Sequence, residues 1–298
     1  MIVILAMVLL AGSITLGYVL WIKPIEGRLD ARSKAALAFI LLTLFGAFWG
    51  ALPWWLDERA TFSWDLPPLA SRMLGAAAFA FVVAGLHTLI RPTNDKLRLM
   101  LYMIAVYLVP LAIAILAFHL DRFDFSEPVV WGFFSLVVLM CGASLYFLLD
   151  PPSVGLEDAT TAGTAQGLFN VWFAAVAGVT ILWGMALFLT DDGFSNEVWA
   201  WPEDLLSSRL IGAMLLTMAV IALYAIVRPS TTTMALSVIA TYGLAGALAN
   251  VWQDFIDKPV KNDYVIVLGA MGLISLTLLL WRLVATREKM PAPITTST

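Results

Sequence analysis

The segment SRMLGAAAFAFVVAGLHTLIRP, residues 71–92, decides the fold class because it encloses a long apolar run between two arginines. Roughly 20 helical residues are enough to cross about 30 Å of hydrocarbon. Nearly the same segment returns at 208–229 as SRLIGAMLLTMAVIALYAIVRP. Each segment predicts a transmembrane helix that carries a Ser-Arg pair near its start.

The whole chain shares this apolar character. Of its 298 residues, 61% are hydrophobic and 13% are charged, whereas soluble domains carry about 25% charged residues. Unbroken apolar runs argue against a transmembrane β-barrel, whose strands alternate apolar and polar residues. We therefore predict an all-α, polytopic transmembrane helix bundle of about nine spans, near 2–22, 35–55, 68–90, 97–119, 128–149, 168–190, 205–227, 233–253 and 264–284.

An internal repeat relates the two quoted segments. A shift of 137 residues gives 11 identities in the 36 positions of 64–99, including a tryptophan, Ser-Arg, Gly-Ala and Arg-Pro. We predict a duplicated four-helix unit; because four is even, the two copies are parallel and related by a pseudo-two-fold axis along the membrane normal. The predicted divisions are an N-terminal helix with its linker (1–34), the first repeat (35–149), a linker (150–167), the second repeat (168–284) and a disordered tail (285–298).

The basic residues favour one orientation. Loops 23–34, 91–98, 150–166 and 228–232, with the tail 282–298, share one side of the predicted bundle and hold 11 of the 17 Lys and Arg residues. By the positive-inside rule this side is cytoplasmic. We therefore predict a multi-pass protein of the inner (plasma) membrane, with its N-terminus outside and its C-terminus in the cytoplasm.

Arg72 and Arg209 lie in the first two turns of their predicted helices, where a charge inside the membrane is costly. Three interpretations remain open. The side chains reach the outer headgroups, they pair with loop carboxylates, or they bind an anion or lipid headgroup. The acids available for structural ion pairing are Asp57, Glu58 and Asp65 in the first repeat and Asp191, Asp192, Glu203 and Asp204 in the second.

Small residues accompany both arginines. Ser71 and Gly75, like Ser208 and Gly212, follow a small-xxx-small spacing that lets helices approach closely. We therefore expect the two arginine-bearing helices to pack tightly near the pseudo-two-fold axis.

A second set of residues suggests a ligand site or a pathway. Pro110 interrupts hydrogen bonding in the fourth span, and Gly243 and Gly246 weaken the corresponding part of the eighth. Interrupted helices at matching positions of two repeats are typical of transporter binding sites. Asn250 and Asp254 are four residues apart at the polar end of the eighth span, which predicts a shared helix face.

The two histidines, His87 and His119, lie at opposite membrane faces and predict no shared haem or metal site. The sequence offers no phosphate-binding loop, no zinc motif and no paired catalytic carboxylates within a span. We predict no catalytic residue, no metal, no cofactor and no nucleic-acid partner.

The segments 64–76 and 201–213 each run from a tryptophan to Ser-Arg-x-x-Gly-Ala. This pattern resembles uncharacterised bacterial multi-pass membrane proteins, which implies an integral membrane protein without an attached activity. The leading hypothesis is a non-enzymatic accessory or assembly subunit, or a binder of a lipid-like molecule between the halves. Its partners would be the lipid bilayer and other membrane subunits. The alternatives are a small-solute transporter or channel along the pseudo-axis and, less favoured, a membrane enzyme or redox carrier.

Overall fold

A computed structural model describes residues 2–58, 61–62, 64, 66–154, 166–189, 204–256 and 262–287. Within these ranges the chain is built from long helices and short helical turns, and no strand occurs. The long helices are α1 Ile2–Gly17, α2 Ala31–Trp55, α3 Pro68–Ile90, α4 Asn94–Phe118, α5 Pro128–Leu149, α6 Gln166–Leu189, α7 Leu205–Val227, α8 Thr232–Ile256 and α9 Asn262–Arg287. A π-helical turn at Tyr18–Ile22 and a 3₁₀ turn at Lys23–Arg28 continue α1 towards α2.

The described ranges hold nine helical segments that are long and apolar enough to cross a membrane. The prediction of an all-α polytopic bundle is therefore confirmed. Several helices extend beyond the predicted spans because polar caps begin them: Asp30 accepts a hydrogen bond from the Ser33 amide at 2.7 Å, and Thr93 accepts one from the Lys96 amide at 3.4 Å. The first residues of the predicted disordered tail, 285–287, belong to α9, which ends at Arg287. Residues 288–298 lie outside the described ranges.

Helix pairing divides the bundle into an inner and an outer set. Inside each predicted half, α2 packs on α3 and α4 on α5, as α6 packs on α7 and α8 on α9. Between the halves, α3 packs on α8 and α4 packs on α7. The inner helices α3, α4, α7 and α8 are the most buried, whereas α1, α5, α6 and α9 turn much of their surface outward. Exchanging the two predicted halves leaves this set of pairs unchanged.

We call the end of the bundle where α3 and α7 begin the arginine end, and the opposite end, with residues 91–93, 150–154 and 228–231, the linker end. At the linker end, Asp95 of the first half accepts a hydrogen bond from the Ser230 hydroxyl at 2.6 Å and faces Arg228 at 3.8 Å. Arg32 forms a salt bridge with Asp150, the first residue of the predicted linker. These contacts tie the halves and the start of the linker together.

Candidate functional site: the arginine end

The Ser-Arg pairs cap the preceding helices. The Ser71 hydroxyl donates to the Trp54 carbonyl in the last turn of α2, and the Ser208 hydroxyl donates to the Leu187 carbonyl in the last turn of α6, at 2.9 Å. Carbonyls at the end of a helix have no intrahelical partner. The motif therefore satisfies polar groups of the neighbouring antiparallel helix in both halves.

The glycines of the motif bring the same helix pairs into backbone contact. A Cβ at Gly75 would lie 3.1 Å from the Ala51 carbonyl oxygen of α2. A Cβ at Gly212 would lie 2.8 Å from the carbonyl oxygen of Gly184 in α6. Close approach was predicted from the small-xxx-small spacing. It occurs within each half, between α3 and α2 and between α7 and α6.

Both arginines reach into the opposite half. The Arg72 side chain is 7% exposed, and its guanidinium donates to the side-chain oxygen of Gln253 at the end of α8. The Arg209 side chain is 6% exposed and its guanidinium donates to Nε2 of His119, directly after α4. The first half thus binds the second through Arg72, and the second binds the first through Arg209.

Arg209 makes one further contact in its own half and one in the other half. Its Nε donates to the Phe188 carbonyl near the end of α6 at 3.4 Å, and its guanidinium lies 4.9 Å from the centre of the Phe118 ring. A cation near a helix C-terminus is stabilised by the helix dipole, and a cation over an aromatic face is attracted by the ring. Both contacts stabilise the buried charge of Arg209.

His119 accepts from Arg209 in its neutral form. Burial lowers the pKa of His119 from its ordinary value of 6.5, and the charges of Arg209 and Arg122 lower this pKa further. Asp121 and Asp204 act in the opposite direction on the same pKa. A neutral imidazole keeps a lone pair on Nε2 for the guanidinium, so the geometry and the charge state agree.

Three of the acids predicted for ion pairing lie within the described ranges, and their roles differ. No carboxylate within the described ranges lies at salt-bridge distance from Arg72. The negative charge of Asp57 interacts with Arg72 over a longer distance. The buried Oδ1 atom of Asp57 has no hydrogen-bond partner within the described ranges. Asp204 caps α7 by accepting from the Ser207 amide at 3.4 Å, and Glu58 is exposed. Asp65, Asp191, Asp192 and Glu203 lie outside the described residues, so the ion-pairing prediction stays a prediction.

The residues predicted to form a pathway serve helix packing in several cases. A Cβ at Gly243 would lie 2.6 Å from the Gly272 amide nitrogen, so Gly243 brings α8 and α9 together. Gly246 faces Leu268 of α9 and Met73 of α3. Pro110 is half-buried within α4, which continues through it.

Asn250 and Asp254 do not share an environment. Asn250 is fully buried, and its amide nitrogen donates to the Gly246 carbonyl at 2.8 Å and lies 3.7 Å from the Met73 sulfur. Asp254 is exposed. The buried polar residue beside Asn250 is Gln253, the partner of Arg72, so the contact between α3 and α8 is polar at the arginine end.

Sequence reasoning missed the two partners of the arginines. His119 was predicted only to lie at one membrane face, and Gln253 was not predicted as a site residue. A usable signal was present: both lie where the third helix of a half ends, on the same side of the bundle as the arginines.

Within the described ranges, no group of three or more His, Cys, Asp or Glu side chains could hold a metal ion. No family model, curated protein or solved structure matches the chain.

Proposed function

We propose that this integral membrane protein is a non-enzymatic subunit that assembles with other membrane proteins. One observation carries the proposal: the serines, arginines and glycines of the duplicated Ser-Arg-x-x-Gly motif all make contacts inside the chain. The serines cap neighbouring helices, the glycines permit backbone contact, and the arginines join the halves. The most conspicuous polar residues of the spans therefore build a scaffold.

Contacts at both ends of the bundle favour a rigid scaffold over a transporter whose halves move against each other. The halves are joined at the arginine end by two polar pairs and at the linker end by Asp95 with Arg228 and Ser230. Alternating access requires one repeat to rock against the other. Such motion would have to break contacts at one end in each cycle. In our proposal the linker end faces the cytoplasm of the inner membrane, because the basic loops lie there.

The test is native mass spectrometry of the tagged protein in mild detergent, after chemical cross-linking in the membrane. We expect one additional subunit at fixed stoichiometry. This subunit should stay bound when the complex is diluted. Less of it should co-purify when an outward-facing helix surface is altered. A protein that is monomeric under every mild condition and carries no subunit would overturn the proposal. A retained lipid-like molecule instead of a subunit would favour ligand binding between the halves.

Small-solute transport is a second candidate, and buried hydroxyls favour it. Tyr107 in the middle of α4 and Tyr242 in the middle of α8 are buried, and neither hydroxyl has a hydrogen-bond partner within the described ranges. A buried unpaired hydroxyl costs about 1–3 kcal/mol, so a polar occupant between the inner helices would be stabilising.

Cysteine accessibility tests the transport candidate. In a Cys141→Ala background, Tyr242→Cys should react with a membrane-impermeant thiol reagent if a water-filled path reaches the middle of the bundle. Ala222→Cys, at a fully buried position of α7, is the matched control. Equal protection of both cysteines would contradict a path.

A further inference from the structure

Two arginine–tyrosine pairs meet at the linker end, where α4 begins and α7 ends. On α4, Arg98 precedes Tyr102 by four residues, which places both on one helix face. On α7, Tyr224 lies in the last turn, and Arg228 follows it by the same interval. Because the two helices run in opposite directions, both arginines lie nearer the end of the bundle and both tyrosines lie one turn deeper. We call these four residues the linker-end cluster.

Contacts between α4 and α7 bring the four side chains together. The rings of Tyr102 and Tyr224 have centroids 5.7 Å apart and are tilted by 51°. The Tyr224 hydroxyl also interacts electrostatically with the guanidinium groups of Arg98 and Arg228. Since α4 belongs to the first predicted half and α7 to the second, the cluster lies across the seam between them.

The positive charge of the cluster is only partly compensated. The Nε atom of Arg98 is buried without a hydrogen-bond partner in the described part of the chain, and no carboxylate there lies at salt-bridge distance from Arg98. Asp95, the nearby acid, faces Arg228 at 3.8 Å and accepts from the Ser230 hydroxyl at 2.6 Å. A buried guanidinium N–H without an acceptor is costly. The cluster therefore lacks a negatively charged acceptor at Arg98.

The depth of the cluster suits a lipid headgroup. Arg98 is the fifth residue of α4 and lies about 6 Å along the axis from the start of the helix. At this depth arginine side chains reach the headgroups, and tyrosines favour the same interface. Beside the cluster, α7 turns Leu223 and Val227 outward, and Val227 is 72% exposed. An acyl chain would lie along these residues, with its phosphate between the two arginines.

We propose that the linker-end cluster binds the phosphate of an anionic phospholipid. Arginine donates to phosphate oxygens through paired N–H groups, and Nε of Arg98 supplies one of them. Basic pockets between transmembrane helices bind anionic headgroups in this way. A free phosphate offers the same oxygens, but the bilayer already holds a lipid phosphate at this depth, and the exposed apolar residues of α7 lie beside its chains. The proposal does not depend on the subunit function.

The corresponding seam between α3 and α8 supplies a matched control. At the shift of 137 residues, Arg228 corresponds to Arg91, whereas Arg98 and Tyr102 correspond to Ala235 and Ile239. Arg91 is exposed at the same end of the bundle. Arg91→Gln therefore removes one positive charge at the linker end and leaves the cluster intact.

The experiment titrates delipidated protein in mild detergent with phosphatidylglycerol, phosphatidylcholine or glycerol 3-phosphate and counts bound molecules by native mass spectrometry. We expect Arg98→Gln to bind phosphatidylglycerol about tenfold more weakly than the parent, and Arg91→Gln to match the parent. Phosphatidylcholine, whose headgroup carries its own positive charge, should bind weakly and equally to all three proteins.

Thermal unfolding separates lipid binding from folding. Without lipid, Arg98→Gln should melt like the parent, because Arg98 has no hydrogen-bond partner at Nε to lose. Phosphatidylglycerol should then raise the melting temperature of the parent and of Arg91→Gln more than that of Arg98→Gln, since a ligand stabilises the state that binds it.

Four results would overturn the proposal. Arg98→Gln binds phosphatidylglycerol as tightly as the parent, or Arg91→Gln loses as much affinity, which would make the effect one of net charge. Lipid-free Arg98→Gln melts well below the parent, which would give Arg98 a structural role. Glycerol 3-phosphate binds as tightly as phosphatidylglycerol and with the same dependence on Arg98, which would make the ligand a free phosphate. None of these results involves a partner protein, so the subunit function stands or falls separately.

Discussion

At the scale of single residues, the two arginines illustrate how an apolar bundle can bury a charge. Arg72 and Arg209 lie where a neighbouring helix ends, so the negative end of a helix dipole faces the guanidinium. Each then donates to a neutral side chain, Gln253 or His119, from the other half. For Arg72, which has no carboxylate at salt-bridge distance within the described ranges, a neutral acceptor avoids the desolvation of a second charge, which is the main cost of a buried ion pair.

Loss of Arg72 should therefore destabilise the protein through its partner. In Arg72→Leu the buried Gln253 amide loses its donor, and we expect the free energy of unfolding to fall by about 1–3 kcal/mol. Thermal unfolding in detergent measures this change. Arg72→Leu/Gln253→Leu should recover part of the loss because neither partner remains. Arg28→Leu, at an exposed position, should be neutral; equal melting of all variants would favour simple contact of Arg72 with the headgroups.

His119 should make stability depend on pH. Burial and the charge of Arg209 lower the pKa of His119 in the folded protein below its ordinary value of 6.5. Between these values the unfolded chain binds the proton and the folded protein does not, so stability rises with pH. The contribution is present above about pH 6.5 and is lost as the pH falls towards the lower folded pKa.

The measurement is the melting temperature of parent and His119→Gln between about pH 7.5 and 5.5, with the pH range taken from the histidine pKa. The glutamine keeps an acceptor for Arg209, as Gln253 does for Arg72, but does not titrate. We expect the parent to lose more stability on acidification than the variant. Because His87 is present in both, its titration cancels from the comparison, and parallel curves would contradict the role given to His119.

The same residues show what sequence could and could not predict about the site. That Arg72 and Arg209 occupy equivalent, unusual positions follows from the repeat alone. Their partners do not, because Gln253 and His119 lie 181 and 90 residues away in the chain and are neutral. Charge arguments direct attention to nearby carboxylates, whereas the packing of α3 on α8 and α4 on α7 decides which acceptor is within reach.

At the scale of helices, the glycines distinguish helix surfaces in close contact with a neighbouring helix from surfaces without one. Gly212→Ala and Gly243→Ala would place a Cβ within 3.0 Å of backbone atoms of α6 and α9, respectively. We expect each to lower stability by about 1–3 kcal/mol through overpacking. Gly142→Ala on the open face of α5 should be neutral or slightly stabilising, since alanine favours helix formation. Calorimetric melting of the three variants checks this order, and a neutral Gly243→Ala would contradict the close contact of α8 with α9.

Hydropathy predicted the helices well because the bilayer imposes both their length and their apolar character. It could not predict which surfaces face a neighbour, because lipid and buried core are equally apolar. Gly243 illustrates the difference. In the sequence, Gly243 indicated a weakened helix along a ligand pathway. In the structure, Gly243 of α8 lies against Gly272 of α9 and brings the two helices into close contact.

At the scale of the whole molecule, the inner helices form two equivalent pairs, α3 with α8 and α4 with α7. Neither half can bury its inner helices without the other. Cross-half contacts at both ends then hold the halves in one register. We expect the halves to be unstable when expressed separately, since each would expose Arg72 or Arg209 without its partner from the other half.

The orientation of the bundle is a property of the whole chain, and labelling in intact cells tests it. In a Cys141→Ala background, Ser126→Cys lies exposed at the arginine end, and Ser153→Cys lies exposed at the linker end. Because the basic loops gather at the linker end, the positive-inside rule predicts that a membrane-impermeant maleimide labels Ser126→Cys in intact cells and labels Ser153→Cys only after permeabilisation. The reverse pattern would place the arginine end in the cytoplasm. The buried pair of Arg209 and His119 would then experience the pH of the cytoplasm rather than that of the cell exterior.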